Sequence, residues 1–224
     1  GRDNLDASKR RYAQNADART LADVMPGADI FLGLSTKGVL KPEMVAAMAP
    51  HPLILAMANP EPEILPEDAK AVRPDVIIGT GRSDYPNQVN NVLCFPFMFR
   101  GALDVGATTI NEAMKVAAVR AIAELAHAEQ SEVVTAAYGK EELTFGPEYL
   151  IPKPFDPRLI VKVAPAVAQA AMESGVATRP LADMAAYRQQ LNEFVYQTGL
   201  LMRPVFAAAK KNPARIVFCE GEDA

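Results

Sequence analysis

Three short apolar runs constrain the fold of this chain more than any other feature. They occupy residues 29–34, 52–58 and 75–78, and the stretches between them begin at Lys41-Pro42 and Pro66-Glu67. Proline suits the first turn of a helix, because the N–H group that it lacks would have no partner there. Strand-like runs that alternate with helical stretches are typical of a parallel sheet. The pattern therefore predicts an α/β fold, with part of a doubly wound, Rossmann-like parallel sheet.

Small and polar residues follow each of these runs. Leu34-Ser35 ends the first, Ala58-Asn59 ends the second, and Gly79 to Gly81 end the third. In open α/β sheets, ligands bind beyond the carboxyl ends of the strands. Ser35 offers a hydroxyl group and Asn59 an amide, so we expect a binding edge here.

An amide pair, Asn90-Asn91, stands at the entrance to an apolar segment. A carboxamide offers both a donor and an acceptor and does not titrate, so it can hold a carboxylate or an amide without disturbing acid–base chemistry nearby. Asparagine is also favoured at the amino-terminal cap of a helix, and the residues alone favour that simpler interpretation.

Beyond residue 107 the pattern becomes helical. Thr109 and Glu112 have the spacing of a capping box and predict the start of a long amphipathic helix. Further helices are expected at 157–174 and 181–198, and an apolar strand at 214–219. We therefore expect the sheet to be followed by carboxyl-terminal helices.

Composition excludes several classes of function. The 224 residues are 50% hydrophobic and carry a formal net charge of −4, without the basic surface that nucleic acid requires. No apolar run approaches the roughly 18 residues of a membrane span. Cys94 and Cys219 lack metal-binding or disulfide spacing, which favours a cytoplasmic protein. Two histidines and no G-x-S-x-G motif argue against a Ser-His-Asp hydrolase.

Four longer motifs resemble one enzyme family. They are DIFLGLSTKGVL (29–40), LAMANPEPEI (55–64), GRSDYPNQVNNVLCFPFMFRGALDVGA (81–107) and FGPEYLIPKPFDPRLI (145–160). Together they resemble the carboxyl-terminal half of the malic-enzyme module in bacterial malic enzymes of the large hybrid type. The resemblance implies oxidative decarboxylation of (S)-malate to pyruvate and CO₂, with hydride transfer to NADP or NAD.

The resemblance also assigns roles to residues. It implies that Leu34, Ser35, Asn59 and Asn90 contact the cofactor, and that Asn59 and Asn91 contact the substrate. The catalytic Tyr and Lys of the family, and the acids that bind Mg²⁺ or Mn²⁺, are expected in a part that precedes this sequence. The dinucleotide fingerprint G-x-G-x-x-G is likewise absent from this chain.

The same resemblance predicts the organisation of the chain. Residues 1–108 correspond to part of the NAD(P)-binding domain, 109–177 to the last helices of the malic-enzyme module, and 178–213 to a helical linker. Residues 214–224 resemble the start of a phosphotransacetylase-like module. The expected partners are malate, pyruvate, further copies of the chain in a homo-oligomer, and the remainder of the same enzyme.

Two other functions remain open at this point. The chain could be an assembly or regulatory unit without activity, with its long helices packed against a partner. It could also belong to another Rossmann-like dehydrogenase, such as an amino-acid dehydrogenase, because this fold serves many substrates.

Overall fold

A computed structural model describes residues 5–128 and 144–195. The chain divides into two compact units. Of the described residues, 5–89 and 146–150 form the first unit, and 90–128, 144–145 and 151–195 form the second.

A three-stranded parallel sheet forms the centre of the first unit. Its strands are β1 (Ile30–Gly33), β2 (Leu53–Ala56) and β3 (Ile77–Thr80), and they lie in the order β1-β2-β3. The first two strands lie within predicted apolar runs, and β3 overlaps the third run and extends two residues beyond it. The predicted class, a Rossmann-like α/β fold with a parallel sheet and following helices, is confirmed.

Short helices accompany this sheet. They are α1 (Ala7–Tyr12), α2 (Leu21–Val24), α3 (Pro42–Ala46) and α4 (Pro66–Val72). The last two begin at the prolines that the sequence marked as helix starts. The core of this unit lies around the central strand, where Ile54 and Ala56 are fully buried in one cluster with Val45 and Ala69.

The second unit is helical. It contains a 3₁₀ helix (Asn91–Leu93), α5 (Phe95–Asp104), α6 (Glu112–His127), α7 (Arg158–Glu173) and α8 (residues 184–195). Helix α5 packs closely against α7 at Gly101. A β-carbon added to Gly101 would overlap the Ala164 carbonyl oxygen, so the absence of a side chain permits this contact.

The predicted capping box at Thr109 and Glu112 is wrong. The helix begins at Glu112, and its amino-terminal cap is Asn111, whose side chain accepts a hydrogen bond from the Met114 N–H at 3.1 Å. Asn111 also donates to the Ser174 hydroxyl at 2.8 Å, which ties this cap to the end of α7. That contact is distant in sequence, and the local spacing did not reveal it.

The two compact units meet, along the chain, between Val89 and Asn90, and the module boundaries expected from the resemblance stay predictions. Within the second unit, α5 packs against α7. The described part of the expected linker also belongs to the second unit, where Tyr187 and Leu191 are buried in the helical core. The predicted strand at 214–219, and the rest of the expected linker, lie outside the described residues. No helix in the described part of the chain is long and apolar enough to cross a membrane.

Candidate functional site

The carboxyl ends of the three strands lie at one edge of the sheet. In the parallel register Gly33 is opposite Ala56, and Ala56 is opposite Thr80. The residues that follow each strand therefore leave the sheet side by side. This edge is the place where ligands bind in open α/β sheets.

Leu34 and Ser35 follow β1 and are both exposed, Leu34 at 76%. The Ser35 backbone N–H donates to Oε1 of Glu63 at 2.9 Å. Its hydroxyl group makes no hydrogen bond to any of the described residues and is available to a ligand. The backbone is thus fixed while the side chain is uncommitted.

Asn59 follows β2 and is also exposed, with a cis peptide bond to Pro60. The preceding residue, Ala58, donates its N–H to Oε2 of Glu63 at 3.0 Å. The Asn59 amide has no hydrogen-bond partner among residues 5–128 and 144–195. Its position resembles that of Ser35, with an anchored backbone and an uncommitted polar side chain.

Glu63 is the residue of this edge that sequence reasoning missed. Its side chain is fully buried, and its two oxygens accept the backbone N–H groups of Ser35 and Ala58. Gly33 makes room for it, because an added β-carbon there would overlap the Glu63 carboxyl carbon. In the sequence, Glu63 is one of several neighbouring acids, and nothing distinguishes it from acids with a purely structural role. One of its partners lies 28 positions away, and no local pattern marks such a contact.

Asn87 stabilises the region after β3. It is buried, adopts a positive φ of 54°, and donates to the carbonyl groups of Ile78 at 3.1 Å and Pro147 at 2.7 Å. Its carbonyl oxygen accepts the Leu150 N–H at 2.7 Å. This one side chain therefore fastens residues 146–150 to the third strand.

The amide pair lies in the second unit, at the start of the 3₁₀ helix. Asn90 is the amino-terminal cap, and its side-chain oxygen accepts the Val92 N–H at 3.0 Å. Asn91 is the first residue of that helix and is exposed. Its side chain makes no hydrogen bond within the described part of the chain. Capping therefore occupies the oxygen of Asn90 and leaves its NH₂ group and the whole Asn91 amide available.

A charged cluster joins α5 to α8 in the second unit. Asp104 accepts hydrogen bonds from Arg100 Nε and from the Tyr187 hydroxyl group, both at 2.6 Å. Burial, together with the bond to Asp104, raises the pKa of Tyr187 well above its ordinary value. Tyr187 therefore stays protonated at neutral pH and acts as a donor.

The described residues do not offer a metal centre. Among residues 5–128 and 144–195, no three His, Cys, Asp or Glu side chains form a group that could hold a metal ion. The polar groups at the sheet edge are instead hydroxyl, amide and backbone groups, which can donate and accept hydrogen bonds without titrating near neutral pH.

Comparison with known proteins decides the family. Residues 2–137, more than half of this 224-residue chain, match the family described as malic enzyme, NAD binding domain. The chain belongs to the malic enzyme family. An NADP-dependent malic enzyme of Escherichia coli is 70% identical over 222 residues, and this match covers 99% of the present chain. An NAD-dependent malic enzyme of Rhizobium meliloti is 64% identical over 222 residues, or 98% of the present chain.

A solved structure supports the same assignment. The malic enzyme of Pyrococcus horikoshii is 35% identical, with a TM-score of 0.67, and the match covers 85% of this chain and 40% of that one. The present malic enzyme chain spans 29% of the length of the two bacterial relatives above. The family match and the two kinds of relative support a nicotinamide cofactor, without deciding between NADP and NAD.

Proposed function

We propose that this chain is the carboxyl-terminal part of the malic-enzyme module of an NADP- or NAD-dependent malic enzyme, with NADP preferred. The reaction is the oxidative decarboxylation of (S)-malate. Hydride passes from C2 of malate to the nicotinamide ring, the C2 hydroxyl group loses its proton, and CO₂ then leaves C3. The resulting enolate gains a proton at C3 and becomes pyruvate. The observation that carries the proposal is the aligned edge of the parallel sheet in a chain of this family.

In this proposal the first unit binds the cofactor through its strand ends. Leu34 and Ser35 lie beside the ribose and phosphates, and Asn59 contacts the nicotinamide ribose and malate. The uncommitted Ser35 hydroxyl and Asn59 amide support these roles, because both backbones are already anchored to Glu63. Side chains on a fixed backbone bind a ligand with little further loss of conformational freedom.

Ligand contacts are also assigned to the amide pair Asn90-Asn91. Asn90 contacts the nicotinamide through its NH₂ group while its oxygen caps the 3₁₀ helix. Asn91 holds malate through an amide that has no partner among the described residues. Neither group titrates, so binding by these residues does not depend on pH near neutrality.

Proton transfer belongs to residues outside this chain. The catalytic Tyr and Lys, and the acids that hold Mg²⁺ or Mn²⁺, lie in a preceding part of the same polypeptide.

The complete enzyme is a cytoplasmic homo-oligomer in this proposal. The module boundaries inferred from the resemblance, 1–108, 109–177, 178–213 and 214–224, remain predictions, as does the phosphotransacetylase-like module.

The test is an assay of the full-length polypeptide with (S)-malate, Mn²⁺ and either NADP⁺ or NAD⁺. We expect reduced cofactor and pyruvate to form in equal amounts. Reduction with an amino acid and not with malate would favour the alternative dehydrogenase. Residues 1–224 expressed alone should show no turnover, and activity of that fragment would contradict the placement of the catalytic groups.

A further inference from the structure

We propose that Glu63 is a positioning residue that links cofactor binding to malate binding. Two segments are involved, and we name them the cofactor loop (residues 34–36) and the substrate loop (residues 57–60). The proposal rests on the function proposed above, which gives these loops their ligands. Glu63 itself touches neither ligand.

The geometry of the carboxylate is the first argument. Each oxygen of Glu63 accepts a backbone N–H from a different loop, Ser35 at 2.9 Å and Ala58 at 3.0 Å. A carboxylate that is fully buried is costly unless its oxygens are hydrogen-bonded. Bonds from N–H groups to a charged acceptor are stronger than neutral ones, so this group resists displacement.

The surroundings of Glu63 leave it little freedom to move. A β-carbon on Gly33 would overlap the carboxyl carbon, so the carboxylate fills the space beside β1. Its own backbone is held as well, because the Glu63 carbonyl oxygen accepts the Leu40 N–H at 3.1 Å. The residue is therefore fixed at both its backbone and its carboxylate.

The location of the two bonds argues for more than a structural role. They join the ends of adjacent strands, at the edge where ligands bind. Ser35 donates its own N–H and presents an uncommitted hydroxyl group, while Ala58 immediately precedes the uncommitted amide of Asn59. A movement of the carboxylate therefore displaces the Ser35 hydroxyl group and the Asn59 amide together. When a ligand holds one loop in place, Glu63 restricts the movement of the other loop as well.

The main experiment compares Glu63→Gln with Asp156→Asn in the full-length enzyme. The glutamine side chain would accept only one of the two N–H groups through its oxygen, and its NH₂ group would face the other as donor to donor. Asp156 is a matched control, since it is also buried, at 2% exposure, and also accepts a backbone N–H, that of Arg158 at 2.9 Å. It lies beside the start of α7, in the second unit, and is not one of the residues proposed to bind a ligand.

We expect both variants to melt at lower temperature than the wild type, and only Glu63→Gln to impair binding. Its NADP⁺ dissociation constant should rise at least ~10-fold and its kcat/KM for malate should fall at least ~10-fold, against changes below ~3-fold for Asp156→Asn. If Glu63→Gln binds NADP⁺ and turns over malate as Asp156→Asn does, Glu63 is structural only and the proposal is overturned.

A double-mutant cycle tests the link itself. Asn59→Ala should reduce kcat/KM for malate in the wild-type background, and should reduce it much less in the Glu63→Gln background, where the substrate loop is already displaced. Equal fold-changes in the two backgrounds would mean that Glu63 does not act through this loop.

Hydrogen exchange on the wild-type enzyme gives a measurement that does not depend on how a variant folds. (S)-Malate with Mn²⁺ in the absence of cofactor, which has no proposed contact with the cofactor loop, should slow exchange in peptides covering the substrate loop and also in peptides covering the cofactor loop. Protection of only one loop, or of neither, overturns the link. A wild-type enzyme without malate-dependent reduction of NADP⁺ or NAD⁺ defeats the proposed function, and this proposal falls with it.

Discussion

At the scale of single residues, two adjacent amides have different environments. The oxygen of Asn90 caps the 3₁₀ helix, whereas the Asn91 side chain has no partner among the described residues. The sequence left binding and capping as alternatives for the pair, because both uses require the same residue type. The structure assigns the cap to Asn90 and leaves the role of Asn91 in binding as a prediction.

We predict that Asn91→Ala impairs malate turnover without changing stability, whereas Asn90→Ala also lowers stability. In the full-length enzyme, Asn91→Ala should lower kcat/KM for malate by at least ~10-fold with an unchanged melting temperature. Asn90→Ala should also lower the free energy of unfolding, by about 1 kcal/mol, because it removes a cap. Kinetics and thermal melts on the same preparations provide the measurement. Normal kinetics for Asn91→Ala would remove that residue from the substrate site.

Asp75 provides a prediction about pH. The hydrogen bond from the Arg73 guanidinium, with a second bond from the His51 backbone N–H, holds the pKa of Asp75 well below its ordinary value. A depressed pKa means that the ionised form stabilises the fold, fully above the unfolded value of about 3.9 and progressively less as the pH falls below it.

Asp75→Asn should therefore lower the urea midpoint of unfolding by the same amount at pH 7 and pH 5. The difference between wild type and variant should shrink as the pH falls below about 4. A difference that stays constant down to pH 3 would show that the charge of Asp75 is not the source of its contribution.

At the scale of elements, periodicity and proline predicted the regular structure. The apolar runs indicated the three strands, and Pro42 and Pro66 indicated the starts of α3 and α4, because these features depend only on local sequence. Contacts between distant residues were not predictable in this way. The Glu63 bonds to two loops and the Asn111 cap tied to Ser174 each depend on neighbours that only the folded chain provides.

Gly101 provides a prediction at this scale. In an open helix, Gly→Ala stabilises by roughly 0.5–1 kcal/mol. At Gly101 the added methyl group would overlap the Ala164 carbonyl oxygen and would push α5 away from α7. Gly101→Ala should therefore destabilise the protein by about 1–3 kcal/mol, measured by urea unfolding. A gain in stability would contradict the close contact between these helices.

At the scale of the whole molecule, the described part of the segment after Ala177 packs within the second unit. The Arg179 N–H donates to the Val105 carbonyl oxygen at 2.9 Å, and Tyr187 and Leu191 are buried in the helical core. The family resemblance predicted a helical linker at residues 178–213, and that boundary stays a prediction. In the structure, the apolar face of this helix is buried within the second unit.

Two truncations of the full-length polypeptide, after residue 177 and after residue 195, test this. The first removes Tyr187 and Leu191 from the core and should lower the melting temperature, since losing a large buried side chain costs roughly 2–5 kcal/mol. The second keeps both residues and should melt at a higher temperature than the first.

The assembly of the intact enzyme is a separate prediction, for which we expect a homo-oligomer. Analytical ultracentrifugation of the intact enzyme beside the truncation after residue 195 measures it. A monomeric intact enzyme would contradict the oligomer, whereas unchanged assembly after this truncation would exclude the residues beyond 195 from its interface.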